Sequence, residues 1–398
     1  MTSSNEETLL TGYSGRLLLA VSVGWFAVQG GRLVVSPLLP AIQTDLGIGS
    51  TRAGIALSSL WGLYALLQYP SGRLSDTLSR KTLLVAGLLA VSVGFLSLSA
   101  APTYLAFLGG ALLVGFGAGL YPTPARGLLS DLFVRRRGQA FGIHTAAGDL
   151  GGVAAAGLAT AVLAIATWRV GFLPAVAVLL AVALALHVWS RESYVLARPR
   201  LAAGDTARRL FATGRTRWLL IAYTAFAFTW QATTGFLPTY LQVGKSFTPA
   251  VANVAFGALF VVGTVVKPVA GGLGDRLPKG LLAVTFVTLA ALALGGVVLA
   301  TTPLMATISV AVFAAGLMAY PPVMQAYLMD TFPDDSAAGD LGAMRTVYIG
   351  IGALGPTYVG IVADVLSYDV AFAGLVGALV FSATLILVTT RNPTVGND

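Results

Sequence analysis

About twelve stretches of near 20 predominantly apolar residues run through this 398-residue chain. Each is long enough to cross a ~30 Å hydrocarbon layer as a helix at 1.5 Å per residue. A segment in lipid must satisfy its own backbone hydrogen bonds, so the expected architecture is an all-α membrane protein of 12 transmembrane helices. The stretches read 17–40, 53–71, 82–101, 103–130, 138–163, 168–190, 217–242, 249–271, 280–301, 303–329, 340–362 and 370–390. The breaks at Ala101-Pro102, at Thr302-Pro303 and near Thr167 are short enough for tight helical hairpins. Only 10% of residues are charged, against about 25% in soluble domains, and mean hydropathy is +0.83. That shortage of surface charge excludes a water-soluble enzyme. With no Cys there is no disulfide, thiolate metal site or thiol nucleophile, and the two His (His144 and His187) make no imidazole cluster. No cofactor is expected.

The net charge is +8. Its distribution argues against nucleic acid as a partner. With a cytoplasmic N-terminus, seventeen of the 24 Lys and Arg fall on the inner side, only Arg52, Arg169 and Lys245 fall outside, and four lie within spans. This is a strong positive-inside bias. It predicts a multi-pass protein of the cell (plasma) membrane with both termini cytoplasmic and lipid all around it. Residues 1–15 are polar and include Glu6 and Glu7, so the first apolar stretch is expected to remain as a helix.

The longest polar segment, 191–216, contains six Arg and separates six spans from six. It divides the chain into an N-terminal bundle (1–190), a cytoplasmic basic linker (191–216) and a C-terminal bundle (217–398). The halves repeat at an offset of 199 residues. Gly72-Arg73-Leu74-Ser75-Asp76 recurs as Gly271-Gly272-Leu273-Gly274-Asp275, and Tyr121-Pro122, Asp131, Phe133 and Gly151 recur as Tyr320-Pro321, Asp330, Phe332 and Gly350. Two pseudo-symmetric six-helix bundles with a site between them near mid-membrane are a transporter architecture.

The segment GRLSDTLSRK, Gly72 to Lys81, resembles the signature loop of the major facilitator superfamily, Gly-x-Leu-x-Asp-Arg-x-Gly-Arg-Lys. Gly72, Leu74, Asp76, Arg80 and Lys81 match; Thr77 and Ser79 depart from it. The second copy matches at Gly271, Leu273, Asp275, Arg276 and Lys279, with Pro278 at the second Gly position. The resemblance implies a gating loop whose acid latches the opposite half in the outward-open state. Asp76 would engage the start of the eleventh span near Gly339–Gly342, and Asp275 the start of the fifth near Arg137–Gly138. The fifth span carries Gly148, Asp149, Gly151, Gly152 and Gly157. It is similar to the Gly-rich helix of anion porters of the nitrate/nitrite or oxalate/formate type, with Asp149 where nitrate porters have Asn.

Ionisable groups inside the membrane are costly and normally face a cavity or a partner. Arg32 lies 16 residues beyond Arg16, about 24 Å along the helix. Gln29, Arg32 and Ser36 share one face, with Trp25 one turn earlier. Asp149 lies about 18 Å beyond Arg137. It serves either as a proton-coupling site or as the ion-pair partner of Arg32 or Arg126. Arg126 and Arg345 are each five residues from an Asp, and Lys267 is four before Gly271, so all three can also snorkel to the inner surface. Four cations against one carboxylate leave an excess of three positive charges in the bundle. Guanidinium forks suit carboxylate, nitrate or phosphate. The expected substrate-binding set is therefore Arg32 with Gln29 and Trp25, then Arg126 and Arg345, with Gln231 and Tyr348 as the repeat counterparts of Arg32 and Asp149.

These features predict a secondary active transporter, monomeric, not an enzyme. It moves a small anion by alternating access, as symport or antiport, with the proton as candidate coupling ion. The rival expectation is a proton-coupled efflux pump for hydrophobic compounds that uses Asp149.

Overall fold

The computed structural model describes residues 8–195, 214–332 and 337–391; the side chains of 73, 76, 77 and 337–340 lie outside that description. The described residues are almost entirely helical and contain no strand. In the first half the helices are α1 (Gly12–Leu33), α2 (Val35–Leu46), α3 (Ser50–Leu66), α4 (Gln68–Thr77), α5 (Arg80–Ser99), α6 (Tyr104–Gly119), α7 (Pro122–Leu132), α8 (Arg137–Ile165) and α9 (Leu173–Trp189). In the second half they are α10 (Gly214–Thr239), α11 (Pro249–Gly274), α12 (Lys279–Leu299), α13 (Pro303–Met329), α14 (Ala337–Gly352), α15 (Leu354–Val365) and α16 (Tyr368–Arg391).

Several of these helices are parts of one kinked rod, and proline explains the breaks. A proline lacks the N–H that would bond to the carbonyl four residues back, and its ring clashes there. Pro37, Pro70 and Pro356 stand four residues after Leu33, Leu66 and Gly352, where α1, α3 and α14 end. Pro124 does the same at Leu120, between α6 and α7. Each rod resumes after one or two residues.

Ten of the resulting helices are long and apolar enough to cross a membrane, where the hydropathy reading expects twelve. The other two expected spans correspond to α3–α4 and α10. The first is interrupted at Leu67 and continues into the polar QYPSGRLSDT. The second carries Arg215, Arg217 and several Thr. From Gln231 to Leu241 every residue of that rod is buried in protein, so lipid does not demand apolar side chains of it. Its hydroxyls bond back to the helix, Thr229 to the Ala225 carbonyl and Thr233 to that of Thr229.

The packing repeats as the sequence does. In the first half α1 packs on α8 and α9, α3 on α6, and α5 on α6 and α9. In the second half α10 packs on α14, α15 and α16, α11 on α13, and α12 on α13 and α16. The halves meet where α3 lies against α14 and α15, where α8 lies against α11, and where α2 lies against α10. Large exposed apolar side chains such as Leu19, Val93, Leu105, Leu184, Val265 and Leu292 cover the outside, as a lipid-facing surface requires.

One face of the molecule carries the start of α1 and the end of α16 and is called here the terminal face; the opposite one is the distal face. On the terminal face Arg80 pairs with Asp131 at 2.7 Å and Lys279 with Asp330 at 2.6 Å. Both partners of the second bridge stand 199 residues after those of the first. Each Asp is more than half exposed, so these bridges contribute at most about 1 kcal/mol. Lys81 binds the segment after α9: its Nζ donates to the Ser190 carbonyl at 3.1 Å, and its backbone N–H donates to Glu192 at 3.0 Å.

On the distal face the halves are clasped. The start of α3 supplies no side-chain cap of its own, because its N-cap is Gly49. Asp364, from the end of α15, accepts the backbone N–H groups of Ser50 at 3.0 Å and Thr51 at 2.8 Å. It caps a helix of the other half, where the helix dipole also favours an anion. Tyr368 joins the clasp through Ser50 Oγ at 2.7 Å. Gly54 and Gly360 make the closest approach possible: a Cβ on Gly54 would strike the Pro356 backbone, and one on Gly360 the Ser50 carbonyl.

Candidate functional site

Arg32 sits at the end of α1, one residue before the break that Pro37 imposes, and is only 5% exposed. Its guanidinium carbon lies 4.5 Å from the centroid of the Trp61 ring and 4.4 Å from that of Tyr64, with Trp25 at 5.9 Å. A desolvated cation held over aromatic faces gains about 2 kcal/mol. Arg32 Nη2 donates to Gln29 Oε1, one turn back on α1. Its Nε and Nη1 are buried without any hydrogen-bond partner. Buried donors normally have partners, so two open ones on a single guanidinium mark a place for an incoming acceptor.

Arg126 and Arg345 come from α7 and α14 and lie close enough for their charges to repel each other. Both act on Tyr64, which lies against Arg32 and Arg345 together. Tyr348, buried and one turn after Arg345, interacts with both of these arginines. It stacks on Tyr223 at 4.0 Å, and Tyr223 receives a hydrogen bond from Gln325. His144 stacks on Trp25 at 5.8 Å and lies within the field of Arg126. Arg126 therefore points inward rather than to the terminal surface. Arg126 is exposed although its neighbours Tyr64, Tyr348 and His144 are buried. Among the described residues no carboxylate pairs with Arg32, Arg126 or Arg345.

Asp149 does not neutralise any of them. Its Oδ1 is 2.6 Å from Lys267 Nζ, across the contact between α8 and α11. Lys267, which the sequence also allows to snorkel, is thus the partner that Arg32 or Arg126 was expected to be. The intramembrane excess of three charges has a definite address: the three arginines around Tyr64. Both Arg32 and Asp149 point into protein, the latter 9% exposed.

Of the other sequence-derived candidates, Trp25 and Gln29 stand beside Arg32, and Tyr348 beside Arg345. Gln231 is buried and commits its Nε2 to the Ile349 carbonyl at 3.0 Å, tying α10 to α14. In the gating loops, Gly72 lies in α4 and Gly271 in α11, the backbone of Asp76 is helical, and its side chain is outside the described residues. Asp275 and Arg276 are exposed at the end of α11, and no hydrogen bond joins Asp275 to the start of α8 among the described residues. Trp61 and Tyr64 were missed. Trp61, Tyr64 and Gln68 carry the same i, i+3, i+7 spacing that singles out Gln29, Arg32 and Ser36, and that signal identifies them.

A family model described as the Major Facilitator Superfamily matches residues 21–356. The chain belongs to the major facilitator superfamily. It is 27% identical over 299 residues to the gentisate transporter of Corynebacterium glutamicum, covering 71% of this chain and 67% of that protein. It is 25% identical over 280 residues to the probable sulfoacetate transporter SauU of Cupriavidus necator, covering 64% of this chain and 63% of that protein. Among solved structures, a bacterial homolog of the human lysosomal transporter Spinster superposes with a TM-score of 0.79 at 17% identity, over 96% of this chain and 98% of that one. This major facilitator protein is a multi-pass membrane transporter of small solutes and not an enzyme.

Proposed function

We propose that this major facilitator protein is a secondary carrier of a small anion, working by alternating access in symport or antiport. Residues 1–190 and 217–398 form two six-helix halves of a twelve-span chain, joined by the basic linker 191–216. Both termini face the cytoplasm across the plasma membrane, and the carrier acts as a monomer. The single observation that carries the reading is the cluster of Arg32, Arg126 and Arg345 around Tyr64, with no carboxylate partner among the described residues. Such a field repels cations and has no use for a neutral solute, whereas an anion supplies the missing charge. Gentisate and sulfoacetate, named for two relatives, are both anions at neutral pH. The rival efflux reading rests on Asp149, which is engaged by Lys267 and lies apart from the three arginines.

The test is flux. Purified carrier in proteoliposomes should take up a radiolabelled small organic acid without ATP, down its own gradient or an imposed proton gradient. Transport of a lipophilic cation or a neutral sugar instead would overturn the reading.

In the alternating cycle the distal clasp must open and close, so Asp364→Asn should favour the distally open state. It loses a charge-assisted cap worth about 1 kcal/mol, partly screened because the carboxylate is exposed, which predicts a two- to fivefold population shift. The chain has no Cys, so Ser58→Cys, on the seam opposite Thr357, reports alone. Its labelling rate by an impermeant maleimide from the distal side should rise in the Asp364→Asn background. An unchanged rate removes Asp364 from the gate.

A further inference from the structure

The three arginines are not equivalent, and their arrangement constrains what the anion looks like. Arg126 and Arg345, from α7 and α14, lie close enough for the charge of Arg345 to act on Arg126. Arg32 is anchored separately, over the rings of Trp61 and Tyr64 at 4.5 and 4.4 Å; Tyr64 also bonds Arg345, whose charge reaches Arg32 as well. Open donors occur in both places: Nε and Nη1 of Arg32, and Nε of Arg345, are buried without partners. One anionic group bound between Arg126 and Arg345 leaves Arg32 uncompensated; one bound at Arg32 leaves the pair uncompensated. A buried charge left without a partner is heavily penalised.

The aromatic faces nearby are already occupied. Trp61 and Tyr64 hold Arg32, Tyr348 is stacked on Tyr223 at 4.0 Å, and Trp25 lies between Tyr121 and His144 at 6.1 and 5.8 Å. They fix the cations and leave little stacking surface for a ligand ring. We infer that the transported anion is a compact organic dianion, with two acid groups a few bonds apart, one taken by Arg32 and the other by Arg126 with Arg345. This rests on the anion reading above and specifies its substrate class. It also couples binding to motion, because Arg32 and Arg126 belong to the first half and Arg345 to the second.

The experiment compares matched ligands differing by one charge. Thermal unfolding of the purified full-length carrier is followed against malonate and succinate and against their monomethyl esters, at about pH 7.5, where carboxylates are ionised. The expected result is an apparent Kd about ten- to a hundredfold lower for the diacids than for their half-esters, the scale of one charge-assisted contact. In Arg32→Gln that preference should vanish while half-ester binding persists. Half-esters that bind as well as the diacids overturn the dianion assignment and leave the anion reading intact. If no acid of either kind raises the Tm, the anion reading fails with it.

Discussion

Replacing Arg32 with Lys should lower anion transport by about ten- to a hundredfold while leaving the protein folded. Lysine keeps the charge but not the shape. The guanidinium is a flat plate held at 4.5 and 4.4 Å from two ring centroids, with Nη2 on Gln29 and two further donors open. An ammonium is a compact, strongly hydrated point charge without a planar fork. Losing one charge-assisted hydrogen bond costs about 1.5–3 kcal/mol, and every 1.4 kcal/mol is tenfold in affinity. The loss should fall mainly on substrate affinity, measured as the concentration for half-maximal uptake into proteoliposomes, with a monodisperse profile in size-exclusion chromatography showing that the fold survives. Arg32→Gln, which removes the charge as well, should lose more. Wild-type affinity in Arg32→Lys would remove Arg32 as a directional ligand and leave it a structural cation stacked on Trp61 and Tyr64.

The second large effect concerns the ion pair between the halves. Asp149→Asn leaves the Lys267 ammonium without its carboxylate, and breaking a buried pair from one side costs about 3–5 kcal/mol. The Lys267 side chain is 25% and that of Asp149 12% exposed, so the lower end is expected, read as a fall in Tm. The double variant Asp149→Asn/Lys267→Met removes both charges and should recover most of that stability, a coupling that a double-mutant cycle measures directly. The transport readout separates the two roles open to Asp149. If the pair is structural, the double variant accumulates substrate on a proton gradient as the wild type does. If Asp149 carries the coupling proton, both variants lose proton-driven accumulation while still exchanging substrate across the membrane. The pair bridges α8 and α11, so breaking it also loosens one of the contacts between halves.

The features legible in the sequence are those set by short-range chemistry. Apolar runs of membrane-spanning length, the duplication at an offset of 199 and the Gly72–Lys81 loop with its second copy lead to the family directly. The kinks are also legible, because Pro37, Pro70, Pro124 and Pro356 act on the carbonyl four residues back whatever surrounds them. The stretches 53–71 and 217–242 are the two whose helices fall short of a membrane-spanning composition. Hydropathy measures how well a segment suits lipid, whereas the later turns of α10 are enclosed by protein and can carry Thr229, Gln231, Thr233 and Thr234. Trp61 and Tyr64 carried a readable stripe, but aromatics are common enough in membrane helices that only the approach of Arg32 gives the stripe a purpose.

By itself the sequence determined that this chain is helical, membrane-embedded, duplicated, a major facilitator transporter, and burdened with four intramembrane cations and one carboxylate. Only the tertiary structure decided which cation receives that carboxylate. Asp149 and Lys267 are 118 residues apart, and they meet because α8 and α11 turn those faces toward each other across the seam. Arg32, nearer to Asp149 in the chain, is turned instead toward Trp61 and Tyr64. Hydropathy and periodicity are properties of one helix at a time. A charge pair between helices depends on their mutual rotation, which only packing fixes, and that rotation is what leaves Arg32, Arg126 and Arg345 around Tyr64 with no carboxylate partner among the described residues.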